Sequence, residues 1–384
     1  MNEDAINIVG GSLVGLVCGI ALRRSHRNIT IWDNKKPTTP MPNHPVTLRA
    51  QHLSFLKELG VWEIISKDCT TIQSLGLGQK SYFGEVQIHA SDYQQPALAY
   101  VIAFDKLYKA LEQLAKPGIN IQKDHKVHNI LPDKNGWALT IRGPKDCVKS
   151  TSKRIIIADG AQDSLAEKLG MMHDESSPVF YSSLRGLQGS SWPKAQCWQR
   201  FTKQRVYGVI PGAKQGFGYI ITTAQTKAAL EIDQAQIQTD FGYRLGTIQL
   251  EHERARYQTL LQYRPGFDVP GVLLMGNSQL ALPPIGAQGL NQALANVAVL
   301  AKLSARESWL QADPLPWQRH YASLTDPGNK ALYQGIRAWI STQDSSWWSR
   351  IKKTAAWGWL GADHQADTML FGVGQGVCPS EGLQ

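Results

Sequence analysis

Apolar positions along this chain switch between short continuous runs and three- and four-residue spacing, which predicts strands alternating with helices. Ala5 to Val9 is a short apolar strand. The glycine-rich Gly10-Gly11-Ser12-Leu13-Val14-Gly15 follows it, and Leu16 to Arg23 reads as helix. Ile29 to Trp32 is a second strand, closed by Asp33. The proline-rich stretch from Pro37 to Pro45 predicts a loop, and Gln51 to Leu59 a helix with Gly60 as its C-cap. From Ile72 to Ala90 the pattern shortens to strands. Phe104 to Leu114 returns to helix, with Leu107, Leu111 and Leu114 on one stripe.

Val127 to Ile141 reads as a hairpin turning through Asp133-Lys134-Asn135-Gly136, and Arg154 to Ala158 as a compact strand running into Asp159-Gly160. Aromatics, alternating runs and turn glycines from Val179 to Leu261 predict a mostly β region. Gly271 to Met275 is another strand, followed by a proline- and glycine-rich loop and a helix from Leu290 to about Ser304. Beyond Pro314 the pattern is mainly helical. The first α/β unit is thus interrupted and resumed, with a β unit built from its excursions.

Bulk properties narrow the classes. A chain of 384 residues, 42% hydrophobic and 18% charged, can bury two cores and has no polar tract that would predict disorder. The apolar run Gly10 to Leu22 is too short to span a bilayer. Its basic residues, Arg23, Arg24 and Arg27, follow it, the reverse of a secretory signal. Five cysteines without a C-x-x-C pair fit a reducing compartment, so a cytoplasmic location is expected. The net charge of +9 favours anionic partners without choosing among them. No nucleic-acid motif is present, and no metal site is expected; His125 and His128 fall in a strand-and-turn segment rather than on a helix face.

Three stretches carry chemistry. The strand, glycine turn, helix, strand, acid order is the opening of a dinucleotide-binding unit, with the helix's free N–H groups available to a pyrophosphate. Asp33 is placed to accept from a ribose hydroxyl. The middle fingerprint glycine is replaced by Ser12. The second stretch is the strand ending in Asp159-Gly160, which taken alone is also an ordinary turn. The third is Gly276-Asn277, then Pro283-Pro284-Ile285-Gly286-Ala287-Gln288-Gly289-Leu290-Asn291. This rigid loop leads into a helix start near Gln288, whose N–H groups suit an anion or an electron-rich carbonyl.

Together these stretches resemble the class A FAD-dependent aromatic hydroxylases, nearest the bacterial ubiquinone-biosynthesis hydroxylases acting on polyprenylated phenols. Leu59-Gly60-Val61-Trp62 and Phe241 to Gly246 add to the likeness, which spans residues 5 to about 305. The tail matches only in outline, through Leu370-Phe371-Gly372. The resemblance implies an α/β fold like that of p-hydroxybenzoate hydroxylase. Its FAD-binding domain would comprise residues 1–71, 101–178 and 266–310, the mostly β substrate domain 72–100 and 179–265, and a helical region 311–384. It implies FAD held by Gly10, Gly11, Ser12, Leu13, Val14, Gly15 and Asp33, by Asp159 and Gly160, by Gly276 and Asn277, and by Pro284 with the Gly286–Asn291 run. It also implies NAD(P)H as reductant and hydroxylation of a phenolic ring with O2 through a flavin C4a-hydroperoxide. No catalytic acid, base or nucleophile is implied.

Several positions depart from the family pattern. His44 stands where Arg is usual, with Arg49 five residues later; Ala103-Phe104-Asp105 replaces Glu-Asn-Arg; Asp163 and Ala166 replace Ser and Arg. Gly286-Ala287 inverts Ala-Gly, and Asn296 replaces Asp. These leave open another FAD oxidoreductase or a non-catalytic flavoprotein supporting an assembly. A prenylated substrate implies an apolar tunnel or an opening toward the membrane. Trp339, Trp347, Trp348, Trp357 and Trp359 beside Arg350, Lys352 and Lys353 suit either contact with the inner-membrane surface or a protein contact.

Overall fold

The structure is a computed structural model. It describes residues 5–341 except 27, 37–43, 81–84, 135, 162–164, 173–176, 191, 193–194, 215 and 307–308. Five parallel strands form the first layer, in the order Val272–Leu274, Arg154–Ile157, Ala5–Val9, Asn28–Asp33 and Asn120–Lys123. Both faces are covered, as a parallel sheet requires. Ile6, Ile8, Ile31, Ile156 and Leu273 pack under the helices Leu13–Leu22, Phe104–Ala115 and Gln288–Arg306. Val9, Trp32, Ile155, Ile157 and Leu274 face the antiparallel Lys126–Asp133, Gly136–Arg142 and Cys147–Ser152 strands, whose Leu139 and Ile141 are fully buried.

A seven-stranded sheet is the second layer. Its order is Ile248–Leu260, Val179–Gly189, Phe217–Ala224, Arg205–Pro211, Gln196–Phe201, Ser74–Gln79 and Glu85–His89. The two strands from the early excursion join it through a parallel pairing of Ser74–Gln79 with Gln196–Phe201. The Gln234–Phe241 helix, N-capped by Asp233, closes one face through Ile237 and Phe241 against Trp198, Tyr207 and Val209. The edge strand Ile248–Leu260 carries the pairs Glu251–Arg254 (2.7 Å) and Glu253–Arg256 (2.8 Å). Such charges discourage edge-to-edge association.

A small antiparallel sheet of Pro45–Arg49, Ala99–Ala103 and Thr70–Ile72 joins the layers. The Pro314–Ser341 helix lies on Gln288–Arg306. It is held by stacked Trp309, Trp317 and Tyr321 and by the Arg154 guanidinium, which donates to the carbonyls of Trp309 (2.7 Å) and Ala312 (2.6 Å).

Three expectations are corrected. The first helix begins at Leu13, inside the glycine fingerprint, so Gly15 is helical. Pro45 opens a strand instead of ending a loop, because Pro45–Arg49 pairs with Ala99–Ala103. The Gln51–Leu59 segment divides into a tight turn at Ala50–His52 and the helix Leu53–Glu58. The helix after the proline-rich loop starts at Gln288, as its loop pattern predicts, and runs to Arg306. The tryptophan cluster from Trp347 to Trp359, with its neighbouring Arg350, Lys352 and Lys353, and Leu370-Phe371-Gly372 lie outside the described residues, as does Asp163. Among the described residues no helix is long and apolar enough to cross a membrane.

Candidate functional site

The site is built where three parallel strands end side by side. Gly10, Ala158 and Met275 follow their strands and continue the ladder. Gly10 donates to the Trp32 carbonyl (2.8 Å), Ala158 to Val9 (2.7 Å) and Met275 to Ile157 (2.8 Å). The chain turns sharply at Gly10, whose φ is +108°, a conformation that a side chain resists. A Cβ on Gly15 would lie 1.8 Å from the Gly10 carbonyl oxygen, so this glycine allows the helix to cross the turn closely. Ser12 caps the helix without a side-chain hydrogen bond, and its first turn holds no acid. That end therefore keeps its partial positive charge for a ligand.

A cavity of about 730 Å3 opens over this helix end. Gly10 to Val14, Asp33, Asp159, Gly160, Gly276, Asn277, Gly289 and Leu290 all line it. Asp33 is buried, accepts from the Lys35 N–H at 3.1 Å and is bonded by the Gly11 backbone. Burial raises its pKa, opposed in part by these N–H groups and by the Lys35 and Lys123 charges. Asp159 is likewise raised by burial, and accepts from Ser278 Oγ at 2.9 Å and the Leu165 N–H at 3.2 Å. Ser278 in turn accepts from the Gly160 N–H at 3.1 Å, tying the second stretch to the third.

A second cavity, of about 650 Å3, adjoins the first. His44, Val46, Asn277, Gly289 and Leu290 belong to both walls. Pro284, Gly286, Ala287 and Gln288 form its loop side, and Leu75, Leu98, Cys197, Trp198 and Ile210 much of the rest. The loop is fixed from three directions. Gln199 Oε1 accepts from the Gly286 N–H at 3.0 Å, Arg49 Nη2 donates to the Gly286 carbonyl at 3.3 Å, and Asn291 Nδ2 donates to the Ala287 carbonyl at 2.7 Å.

Sixteen of the eighteen anticipated positions line the two cavities, the exceptions being Gly15 and Asn291; Gly15 serves helix packing, and Gly11 lets Asp33 approach. Asn291 lines neither cavity. It is buried, and its side chain bonds the Thr47 carbonyl (2.8 Å), the Ala287 carbonyl and the Arg49 N–H (2.8 Å). Of the departures, Phe104 faces the first cavity with His44, their rings 5.0 Å apart, while Asp105 pairs outward with Lys109 at 3.1 Å. Ala166 is fully buried. Asn296 sits in a buried polar cluster, donating to Gln279 (3.2 Å) and Asn329 (3.1 Å).

Ser278, Gln199 and Arg49 complete the site and were not anticipated as parts of it. Ser278 adjoins Asn277 in sequence; Gln199 arrives through strand pairing and carries no local signal.

The model for an FAD binding domain matches residues 3–307. The chain belongs to this FAD-binding family. Escherichia coli 3-demethoxyubiquinol 3-hydroxylase is 23% identical over 324 residues, covering 79% of this chain and 81% of that protein. Ubiquinone hydroxylase UbiL of Rhodospirillum rubrum is 20% identical over 324 residues, covering 80% and 73%. The solved structure of p-nitrophenol 4-monooxygenase PnpA from Pseudomonas putida matches with a TM-score of 0.70 at 16% identity, over 96% of this chain and 95% of that one. The expected hydroxylase-like fold is therefore present, and the cavity geometry fits the family's dinucleotide: a glycine turn, a helix end without a side-chain cap bond and a buried acid line one continuous trough.

Two predictions follow from local geometry. Gly286 and Ala287 both have positive φ, +66° and +52°. The alanine is strained where the family pattern has glycine, so Ala287→Gly is expected to stabilise the protein by about 1 kcal/mol, read as a higher urea midpoint at constant slope. Asp33 gives a trade-off. Its raised carboxyl is protonated in both states at low pH, and its burial costs stability only as pH rises through its folded pKa. Asp33→Asn is expected to raise the melting temperature of the FAD-free protein at neutral pH, a gain that vanishes toward acid pH, while weakening FAD binding. Equal melting of both proteins at neutral pH would contradict it.

Proposed function

We propose that this protein is an FAD-dependent monooxygenase that uses NAD(P)H and O2 to hydroxylate the aromatic ring of a phenolic, lipophilic substrate of the ubiquinone-precursor type. The observation that carries this reading is the junction of a glycine-lined trough with an apolar cavity at Asn277, Gly289 and Leu290. In this reading Gly10 to Val14 hold the pyrophosphate of FAD, Asp33 its ribose, and Asp159 and Asn277 its middle section. Pro284 to Leu290 lie beside its ring.

Bound FAD supplies the electron transfer and oxygen activation that no side chain here can. The Gln288–Arg306 helix directs its N-terminal N–H groups toward the loop, favouring negative charge there. Trp198, Ile210 and Leu98 form a wall that keeps water from the reacting ring. The parallel-sheet layer would then serve as the FAD-binding domain and the seven-stranded sheet as the substrate domain.

Substrate-stimulated NAD(P)H oxidation, with oxygen from labelled O2 appearing in a hydroxylated phenol, is the expected result across a panel of phenols. NAD(P)H oxidation yielding only peroxide would favour an oxidase. A flavoprotein inert to NAD(P)H would favour the non-catalytic reading, which Ala166, sealed where the family has Arg, supports. Gly208 gives a sharper check, since a Cβ there meets no atom within 4 Å and points into free space of the second cavity. Gly208→Val is expected to weaken phenol binding about tenfold while leaving FAD affinity unchanged. Unchanged phenol binding would place the substrate elsewhere.

A further inference from the structure

The second cavity contains a charge that apolar ring binding does not require. Arg49 ends the Pro45–Arg49 strand, is only partly exposed and lines the cavity. Its backbone is pinned by Asn291, and among the described residues its guanidinium makes a single long contact, with the Gly286 carbonyl. Among the described residues no carboxylate lies within ion-pair distance of it, and burial lowers its pKa to about 10.

The surrounding titratable groups do not balance this charge. His52 is pushed down to about 4 by burial and by Arg49 itself, and His44 is lowered by burial, so both are neutral at pH 7. Among the described residues Asp159 is the one acid on the cavity wall, and it is engaged by Ser278 and the Leu165 N–H. A cation held out of water without a counter-ion is costly, and an anion entering the cavity removes that cost. A guanidinium is also suited by shape to a planar oxyanion.

Resting on the reading of this cavity as the substrate site, we propose that Arg49 is a specificity-determining residue that takes an anionic oxygen, phenolate or carboxylate, on the aromatic substrate. For a phenol, the same contact would hold the ring in its ionised, more electron-rich form, favouring attack by an electrophilic oxygen.

The test uses the FAD-loaded protein and fluorine NMR titrations of 4-fluorobenzoate, 4-fluorobenzamide and 4-fluorophenol, with 4-fluoroanisole as the non-ionising control. The wild type is expected to bind fluorobenzoate about tenfold or more tightly than fluorobenzamide, or to lower the ionisation pH of bound fluorophenol. The first result assigns a carboxylate and the second a phenolate. Arg49→Gln is expected to abolish both effects while still binding the neutral ligands, and Arg49→Lys to retain part of them. Equal binding of charged and neutral ligands by the wild type, or a preference that survives in Arg49→Gln, overturns the proposal. A change confined to the flavin's reduction potential also overturns it, assigning Arg49 to the cofactor. The flavin absorbance of each sample separates the failures: bound flavin without anion preference defeats this proposal alone, whereas a colourless protein defeats the flavin reading with it.

Discussion

Gly11→Val is expected to abolish FAD retention while leaving the protein folded. A Cβ at Gly11 would lie 2.7 Å from the Asp33 Cβ and 2.8 Å from its Oδ2. The clash is therefore with the acid's side chain, whereas at Gly10 it would be with the Ala158 carbonyl oxygen at 2.2 Å, inside the sheet ladder. Valine at position 11 has to displace the carboxylate or lift the turn away from it. Either movement removes hydrogen bonds from a charged acceptor, each contributing about 1.5–3 kcal/mol. It also fills the space through which the turn approaches its ligand. A fall in FAD affinity of roughly 10²-fold or more is expected, since about 1.4 kcal/mol corresponds to each factor of ten. Fluorescence titration with FAD, beside a circular dichroism melt, separates the two effects. Retained FAD affinity would remove the glycine turn from the site.

Asn291→Ala has the second large effect, and it acts through position. The side chain bonds the Thr47 and Ala287 carbonyls and receives the Arg49 N–H, so one amide joins the helix to a strand and to the loop. Truncation leaves buried backbone groups unpaired, and a loss of about 2–4 kcal/mol is expected. That is a large fraction of the roughly 5–15 kcal/mol by which folded domains are stable. Denaturant unfolding should show a lower midpoint, and FAD affinity should fall even under folding conditions, because the loop is freed on one side. Asn291→Asp keeps the acceptor for Arg49 but sets a buried carboxylate against two carbonyl oxygens, and should be at least as destabilising as alanine at neutral pH. An alanine variant with unchanged midpoint would contradict the clamp.

The parallel layer was legible because local pattern and tertiary role agree there. Ile6, Ile8, Ile31 and Ile156 are buried in strands covered on both faces, and such strands read as continuous apolar runs. The glycine turn and Asp33 were legible because their spacing reflects one strand–turn–helix–strand unit. Pro45–Arg49 was hidden because proline marks loops, and its strand exists only through pairing with Ala99–Ala103, far along the chain. Gln199 reaches the loop by such a pairing and leaves no local trace; Arg49, five residues after the family's usual arginine, reaches it the same way. Asn291 was recognised as important, yet its partners Thr47 and Arg49 could not be read from sequence spacing, which placed it against a ligand instead of against backbone.

The departures from the family pattern also separate once placed in space. Phe104 and His44 form part of a cavity wall, whereas Asp105 turns to Lys109 and Ala166 is sealed inside. Of these four, the first two line the trough and can alter what enters it. The inverted Gly286-Ala287 pair places an alanine at a positive φ of +52°.

The most direct test is the absorption spectrum of the purified protein after mixing with FAD and gel filtration. The visible bands of oxidised flavin, eluting with the protein at close to one flavin per chain, are the expected result. A folded protein that elutes colourless would contradict FAD binding and every role assigned here to the two cavities.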